Sequence, residues 1–154
     1  YGVILADQLS DPERRTGASL AEFSETTVRR LREVALPFAS AQNPIDLTGS
    51  ATNSMFDSAI EILQDDPNVD AILVSLIPYP PLLDEGSIDI IEKWNVSGRK
   101  PIISVVQGCA FVPHVIHRLW SVGVLAYPTL WQVTRAIGAL CKRGEFLRRL
   151  ETSG

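Results

Sequence analysis

The sequence predicts an α/β fold, a parallel sheet covered by helices on both faces, and three observations carry that prediction. Short apolar runs alternate along the chain with amphipathic stretches of about ten residues or more, the pattern of consecutive βαβ units. The strongest runs, residues 69–77 and 101–106, are apolar almost without alternation, as strands buried on both faces are. Capping and stop residues bracket the stretches between them, which right-handed crossovers would stack against the sheet.

Taken in order, Val3, Ile4, Ala6 and Leu9 make a short apolar helical face that Ser10-Asp11-Pro12 ends or bends. The chain enters this face with neither a cap nor a preceding strand, so it reads as a fragment of a larger polypeptide. Residues 18–23 are short and mixed and read as an edge strand. Ser24 can cap a helix carrying Val28, Leu31 and Ala35, which Pro37 closes. Residues 38–52 form a long loop with turn signals at Asn43-Pro44 and Thr48-Gly49, in which Ile45 and Leu47 can anchor while Asp46 faces the other way. Long ordered loops of this kind are frequently functional.

Thr52 or Asn53 caps the next helix, with Phe56, Ala59, Ile60 and Leu63 on one face and Asp65-Asp66-Pro67-Asn68 at its end. After the strand at 69–77, a helix from Ser87 uses Ile88, Ile91 and Trp94 and stops at Ser97-Gly98. After the strand at 101–106, Pro113 opens a helix lined by Ile116, Leu119 and Trp120, with Gly123 past its end. Residues 124–127 are a short last strand. Thr129 caps a final helix using Val133, Ala136, Ile137 and Leu140, continuing past Gly144 through Phe146, Leu147 and Leu150. The layout is a flavodoxin-like three-layer sandwich whose first strand is missing. Residues 1–150 make one domain, and 151–154 are a tail or the start of a linker.

Composition limits the partners. With 154 residues, 45% of them apolar, the chain is long enough for one domain that buries roughly 70% of its unfolded surface. A formal charge of -4 lacks the dense positive footprint of phosphate-backbone binding, so no nucleic-acid partner is expected. Arg29, Arg30 and Arg32, and Lys142, Arg143, Arg148 and Arg149, read as solvated helix faces. Cys109 and Cys141 have neither CxxC nor metal-ligand spacing, which implies no disulfide framework and no zinc. The longest apolar run, 71–83, is broken by Ser75 and by Pro78, Pro80 and Pro81, and no signal peptide opens the chain. A cytoplasmic protein without a membrane partner is expected.

One series of motifs is more specific than composition: N-P-I-D-L-T-G at 43–49, a helix ending in D-D-P, a V-D-A-I-L-V strand, K-P-I-I, a helix running into G-V, and Y-P-T before an alanine-bearing helix. In this order the series resembles the CoA-ligase domain of NDP-forming acyl-CoA synthetases, the superfamily of ADP-forming acetyl-CoA synthetase and succinyl-CoA synthetase, from Tyr1 to about Arg149. The resemblance implies a part in making acyl-CoA, ADP and phosphate from an acid, CoA and ATP, through a phosphohistidine carried on another domain. CoA, ATP and Mg would be bound by partner domains, CoA-binding and ATP-grasp, of the same or a companion chain. This domain alone would bind no cofactor and hold no catalytic residue, and whether it pairs with itself stays open. Its contribution would be a helix N-terminus, whose unpaired N–H groups and partial positive charge suit a phosphoryl group. That helix would begin around Gly2 and Val3.

The resemblance also places Asn43, Asp46, Thr48 and Gly49 on a loop facing the shared active site. From the residues alone, a self-satisfied turn with Asp46 and Thr48 bonding local backbone accounts for the loop equally well. Pro78 and Tyr79 follow the best strand; proline offers no N–H for a phosphate cradle, so an interdomain contact is the better reading. Gln107 and Gly108 close the next strand and would face the same interface. Cys109 has no helix start or histidine assignable beside it and is not expected to be a nucleophile. His114 and His117 lack acidic or thiol companions and read as surface or packing residues. Trp94, Trp120 and Trp131 read as helix-to-sheet anchors, and the Asp65/Asp66 and Asp84/Glu85 pairs as solvated turn residues. Two other readings remain: a synthetase-like regulatory module of a protein acyltransferase, or a stand-alone flavodoxin-like binding or interaction module. A flavin-binding chain would carry a Ser/Thr-rich phosphate loop after its first strand, and this sequence shows none.

Overall fold

A computed structural model of the chain describes residues 7, 9, 16–77, 85–108 and 112–152. Three strands, β1 (Ile72–Leu76), β2 (Ile102–Val106) and β3 (Leu125–Tyr127), pair in parallel in the order β1-β2-β3. Ile72 sits opposite Ile102, and Ile103 opposite Leu125. The helices among the described residues are α1 (Glu25–Val34), α2 (Asn53–Asp65), α3 (Gly86–Ser97), α4 (Val112–Ser121) and α5 (Leu130–Thr152).

The central strand shows why the order is fixed. All five residues of β2 are buried, so it needs cover on both faces, and its alternate side chains feed two separate cores. Ile102 and Val106, with Ile72, Val74 and Leu76 of β1, meet Ile60 of α2, Ile88 and Ile91 of α3, and Val115, Ile116 and Leu119 of α4. Ile103 and Val105 meet Val133 and Ile137 of α5, with Leu9 beside them. One face therefore carries three helices, and the other is covered by α5 with Leu9 and Ala18 packed beside it. A third cluster, around Leu31, Ala41, Ala59 and Ile62, fastens α1 to α2 and takes in Ile45 and Leu47 of the long loop.

Local signals place the helix ends. Ser24 Oγ accepts from Thr27 N at 3.2 Å and Thr52 Oγ1 from Met55 N at 3.3 Å, each supplying one orphan amide with a partner. Thr129 Oγ1 does the same for Gln132 N at 3.3 Å. Gly123 follows α4 at φ +80, a conformation that costs a residue with a Cβ and costs glycine little.

Four expectations are corrected. Residues 18–23 form no strand: side chains bond to this segment where a ladder was expected, Asn43 Nδ2 donating to Ala21 O at 3.0 Å and Asn68 Nδ2 to Glu22 O at 2.9 Å. Asp66 is not solvated but 1% exposed, because it is folded under α1 as an acceptor for the Ser24 backbone N–H. Trp131 does not anchor α5 to the sheet; it lies on the outer side of the helix, 54% exposed, with the Arg135 guanidinium 4.7 Å from its ring centre. The helix expected from Ser87 starts at Gly86, with Glu85 at the cap position making no side-chain cap bond. Asp84 lies outside the described residues.

Candidate functional site

In a parallel α/β sheet the loops that leave the carboxyl ends of the strands form the ligand-facing rim. Here that rim includes Ile77, Gln107, Gly108 and Thr129. The loop at 43–52 feeds α2, which leads into β1 through a short turn and so starts on the same side of the sheet.

The loop is built by its own side chains. Ser40 and Asp46 form an antiparallel bridge, with N···O distances of 3.0 and 3.2 Å. Asp46 Oδ1 accepts from Thr48 N at 2.8 Å, Thr48 Oγ1 accepts from Ser50 N at 3.2 Å, and Thr48 O accepts from Ala51 N at 3.3 Å. Thr48, rather than Gly49, carries the left-handed backbone, at φ +71. Asn43 is spent on Ala21 O. A self-satisfied turn is thus what these residues form, with Asp46 exposed on it and open space around the Gly49 Cα.

At the end of β2, Gln107 N donates to Leu76 O at 3.1 Å, which ties the first rim residue of one strand to the last residue of its neighbour. The Gln107 side-chain oxygen is buried and has no hydrogen-bond partner among the described residues. Gly108 follows at φ +113, where a Cβ would stand 3.3 Å from Ile77 Cγ2. The glycine is required twice over, by its backbone conformation and by the neighbouring strand end. The two sets, Asn43/Asp46/Thr48/Gly49 and Gln107/Gly108, share no hydrogen bond among the described residues. Gly2, Val3, Pro78, Tyr79 and Cys109 lie outside those residues.

Of the other titratable candidates, His114 and His117 are exposed on α4, His117 stacked on Trp120 with ring centres 5.5 Å apart. Trp120 in turn donates from Nε1 to Ala126 O at 2.8 Å. Cys141 is half-buried against the α5 core, and Gly17, at φ +73, lets the chain pass it with room for a Cβ only at 3.4 Å.

The group of residues that sequence reading missed lies at the opposite, starting end of the strands. Gln64, 3% exposed, takes the N–H groups of Arg99 and Lys100 on Oε1 at 3.0 and 2.9 Å and donates from Nε2 to Lys100 O at 3.1 Å. Lys100 Nζ donates to Leu63 O at 2.8 Å and to Asp66 O, covering the last carbonyls of α2. Asp66 accepts from Ser24 N at 3.0 Å and from Asn68 N at 2.9 Å. Burial works to raise its pKa, but hydrogen bonds from Thr27, Asn68 and Ser24 and the charge of Lys100 outweigh it, holding the carboxyl below its ordinary range. Burial depresses the Lys100 ammonium more than Asp66 supports it. The available signal was the Asp66-Pro67-Asn68 string, an Asx-turn composition.

Comparison with known proteins bears on what this scaffold serves. Acetate--CoA ligase [ADP-forming] I of Archaeoglobus fulgidus is 35% identical over 145 residues, 94% of this chain and 19% of that protein. Subunit alpha of acetate--CoA ligase [ADP-forming] II of Pyrococcus furiosus is 30% identical over 151 residues, 94% of this chain and 32% of that subunit. The chain therefore spans between about a fifth and a third of the length of these relatives. Among solved structures, a Pyrococcus horikoshii OT3 protein superposes with a TM-score of 0.82 at 24% identity over 94% of this chain and 33% of its own. The apo form of the dinucleotide forming acetyl-coenzyme A synthetase 1 of Ca. Korarchaeum cryptofilum gives 0.73 at 27% identity over 90% of this chain and 30% of its own. The family model described as Ligase-CoA domain matches residues 1–148, nearly the whole sequence, and the chain belongs to that family.

Proposed function

We propose that the chain acts as one domain of an ADP-forming acyl-CoA synthetase, in which an acid, CoA and ATP are interconverted with acyl-CoA, ADP and phosphate through a phosphohistidine on another domain. The observation that carries this reading is identity to acetate–CoA ligases along 94% of the chain. The folded elements agree with it in kind. What the described rim offers is backbone and carboxamide groups at Gln107 and Gly108 and a stiff turn at Asp46–Ser50, which can shape and position but hold no activated nucleophile.

CoA, ATP and Mg are assigned in this reading to CoA-binding and ATP-grasp partner domains. A phosphoryl contact at the helix start near Gly2 and Val3 is part of the same proposal, supported by the suitability of helix N-termini for anions. The role left to the described residues is positional. Gln107 and Gly108 fix the backbone where β2 ends, and the Asp46 turn holds the entry of α2, so that a partner domain meets a rim that does not reorganise.

The test is reconstitution. An ADP-forming ligase from which the equivalent domain has been removed is mixed with this chain, and acid-dependent ADP release and acyl-CoA formation are followed. Restored turnover is expected. Tight flavin binding by the chain, or a restored protein acyltransferase activity without acyl-CoA synthesis, would overturn the reading.

A further inference from the structure

The two edges of the sheet are finished differently. At β3 the residue whose backbone faces outward is Ala126, and its carbonyl accepts from Trp120 Nε1 at 2.8 Å. β1 has no such cover among the described residues. Ile72 N donates to Pro101 O at 3.0 Å and Leu76 O accepts from Gln107 N at 3.1 Å, so Ile72, Val74 and Leu76 turn their backbone groups to β2. Those of Leu73 and Ser75 turn to the outer edge, where they have no hydrogen bond among the described residues. An edge strand of five residues without proline, lysine or bulge is one that natural proteins pair or cover.

A second row of free backbone groups lies on the same side. Asp46 gives both its N–H and its C=O to Ser40, which turns those of Ile45 and Leu47 the other way, and these too are unbonded among the described residues. Handedness locates this row. α3 and α4 step from β1 to β2 to β3 on one face, and α2, on that same face, leads from residues 45–47 into β1. A right-handed step through α2 therefore starts on the side of β1 away from β2. Leu47 packs against the cluster that holds Ile72, Val74 and Leu76, yet no hydrogen bond joins residues 45–47 to β1 among the described residues. Two rows that share a core and leave their facing backbone groups unpaired are the two banks of one strand position.

We infer that a β-strand from sequence of the ligase outside this chain inserts between β1 and residues 45–47 and takes up the N–H and C=O groups of Ile45, Leu47, Leu73 and Ser75. Backbone chemistry selects a strand, because donors and acceptors that alternate along both banks are met together only by extended chain. Cover selects its composition. One row of its side chains meets Leu47 and the core of Ile72, Val74 and Leu76, and the other lies beside Leu73 on the α5 face, so its middle is apolar on both faces. A second copy pairing edge to edge would bring its own residues 40–47, with the α1 that their cluster fastens to α2, against those of the first. A single strand brings nothing beside it. The source of the strand rests on the proposed function and on relatives that extend well beyond the matched stretch; the two rows of free groups do not depend on that reading.

The experiment uses the reconstituted ligase, with amide hydrogen exchange of this chain read residue by residue, association measured by calorimetry and turnover by ADP release. On assembly the amides of Ile45, Leu47, Leu73 and Ser75 slow by about tenfold or more, while those of Asp46 and Val74, bonded already, change little. Ser75→Pro removes an outward N–H that the chain alone does not use, which an edge strand tolerates, and weakens association by about tenfold or more; Ser75→Ala leaves it unchanged. The wild-type exchange pattern decides the matter whether or not the proline chain folds. Restored turnover with the four amides exchanging as in the free chain overturns the strand position and leaves the ligase reading standing. Protection of the four without turnover overturns the ligase reading and leaves the strand position. Protection that appears in the chain alone as its concentration rises assigns the edge to a second copy and overturns the proposal.

Discussion

Replacing Asp66 by alanine tests the clamp at the starting end of the sheet. Asp66 is 1% exposed and accepts from the backbone N–H of Ser24 and of Asn68, so a single carboxylate fixes the cap of α1 and the turn into β1. Hydrogen bonds to a charged group contribute roughly 1.5–3 kcal/mol each, and a buried donor left alone costs about 1–3 kcal/mol. Asn68 is exposed and Ser24 half-buried, so water recovers part of the loss, which brings the expected cost of Asp66→Ala to about 2–4 kcal/mol. That is a large share of the roughly 5–15 kcal/mol that holds a domain together.

The isosteric Asp66→Asn separates charge from shape. The folded pKa of Asp66 lies below its ordinary value, so its stabilisation is complete above that value, near pH 4, and is lost as pH falls through the folded one. Asp57 behaves in the same direction: burial opposes its ionised form, and hydrogen bonds from Lys93 and Trp94 prevail. The wild-type chain should therefore lose stability in acid, and Asp66→Asn should flatten that slope by up to about 1.4 kcal/mol per pH unit while leaving the share of Asp57. Urea unfolding followed by tryptophan fluorescence between about pH 7 and pH 3 measures both effects. A cost below about 1 kcal/mol for Asp66→Ala, or an unchanged acid slope in Asp66→Asn, refutes the clamp.

Three further substitutions probe the sheet and its rim. Ser104, on the central strand, is fully buried and its hydroxyl has no partner among the described residues, so Ser104→Ala should be neutral or raise stability by about 1 kcal/mol in the same urea assay. Gly108→Ala should cost about 1–3 kcal/mol, because φ +113 excludes a Cβ and the methyl would press on Ile77, and thermal melting should record a fall of several degrees. Asp46→Ala removes the acceptor for Thr48 N and should cost about 1 kcal/mol of stability, with reconstituted turnover falling only if the turn faces a partner domain.

The fold was legible where one physical signal dominated. Runs at 69–77 and 101–106 announced buried strands because a parallel strand has no polar face to show, and β1 and β2 lie inside them. Ser24, Thr52 and Thr129 announced helix starts, since a hydroxyl before an amphipathic run is cheaper at a cap than inside a helix. The segment 18–23 misled because a short mixed stretch carries no period. Its backbone is instead held by Asn43 and Asn68, partners far away in sequence. Asp66 misled for a related reason: an acid in a turn is usually wet, and only the approach of α1 buries this one. The site was less legible than the fold. The quoted loop motif located the turn, but which of Asp46, Thr48 and Gly49 bends the backbone depends on a local bond that spacing does not reveal.

These placements divide the molecule along the strand axis. Where β1 and β2 begin, side chains with long reach, Gln64, Asp66, Asn68 and Lys100, tie helix ends to loops. Where they end, the ladder closes with Gln107 N to Leu76 O, and the turn that enters α2 is held by local bonds, Asp46 to Thr48 N and Thr48 to Ser50 N. A domain that must present a rim to partners has reason to be arranged this way. A local turn such as Asp46–Ser50 keeps its shape without help from distant side chains and leaves its outer surface open. Stability concentrated at one end leaves the other free to serve as the interface that the proposed function requires.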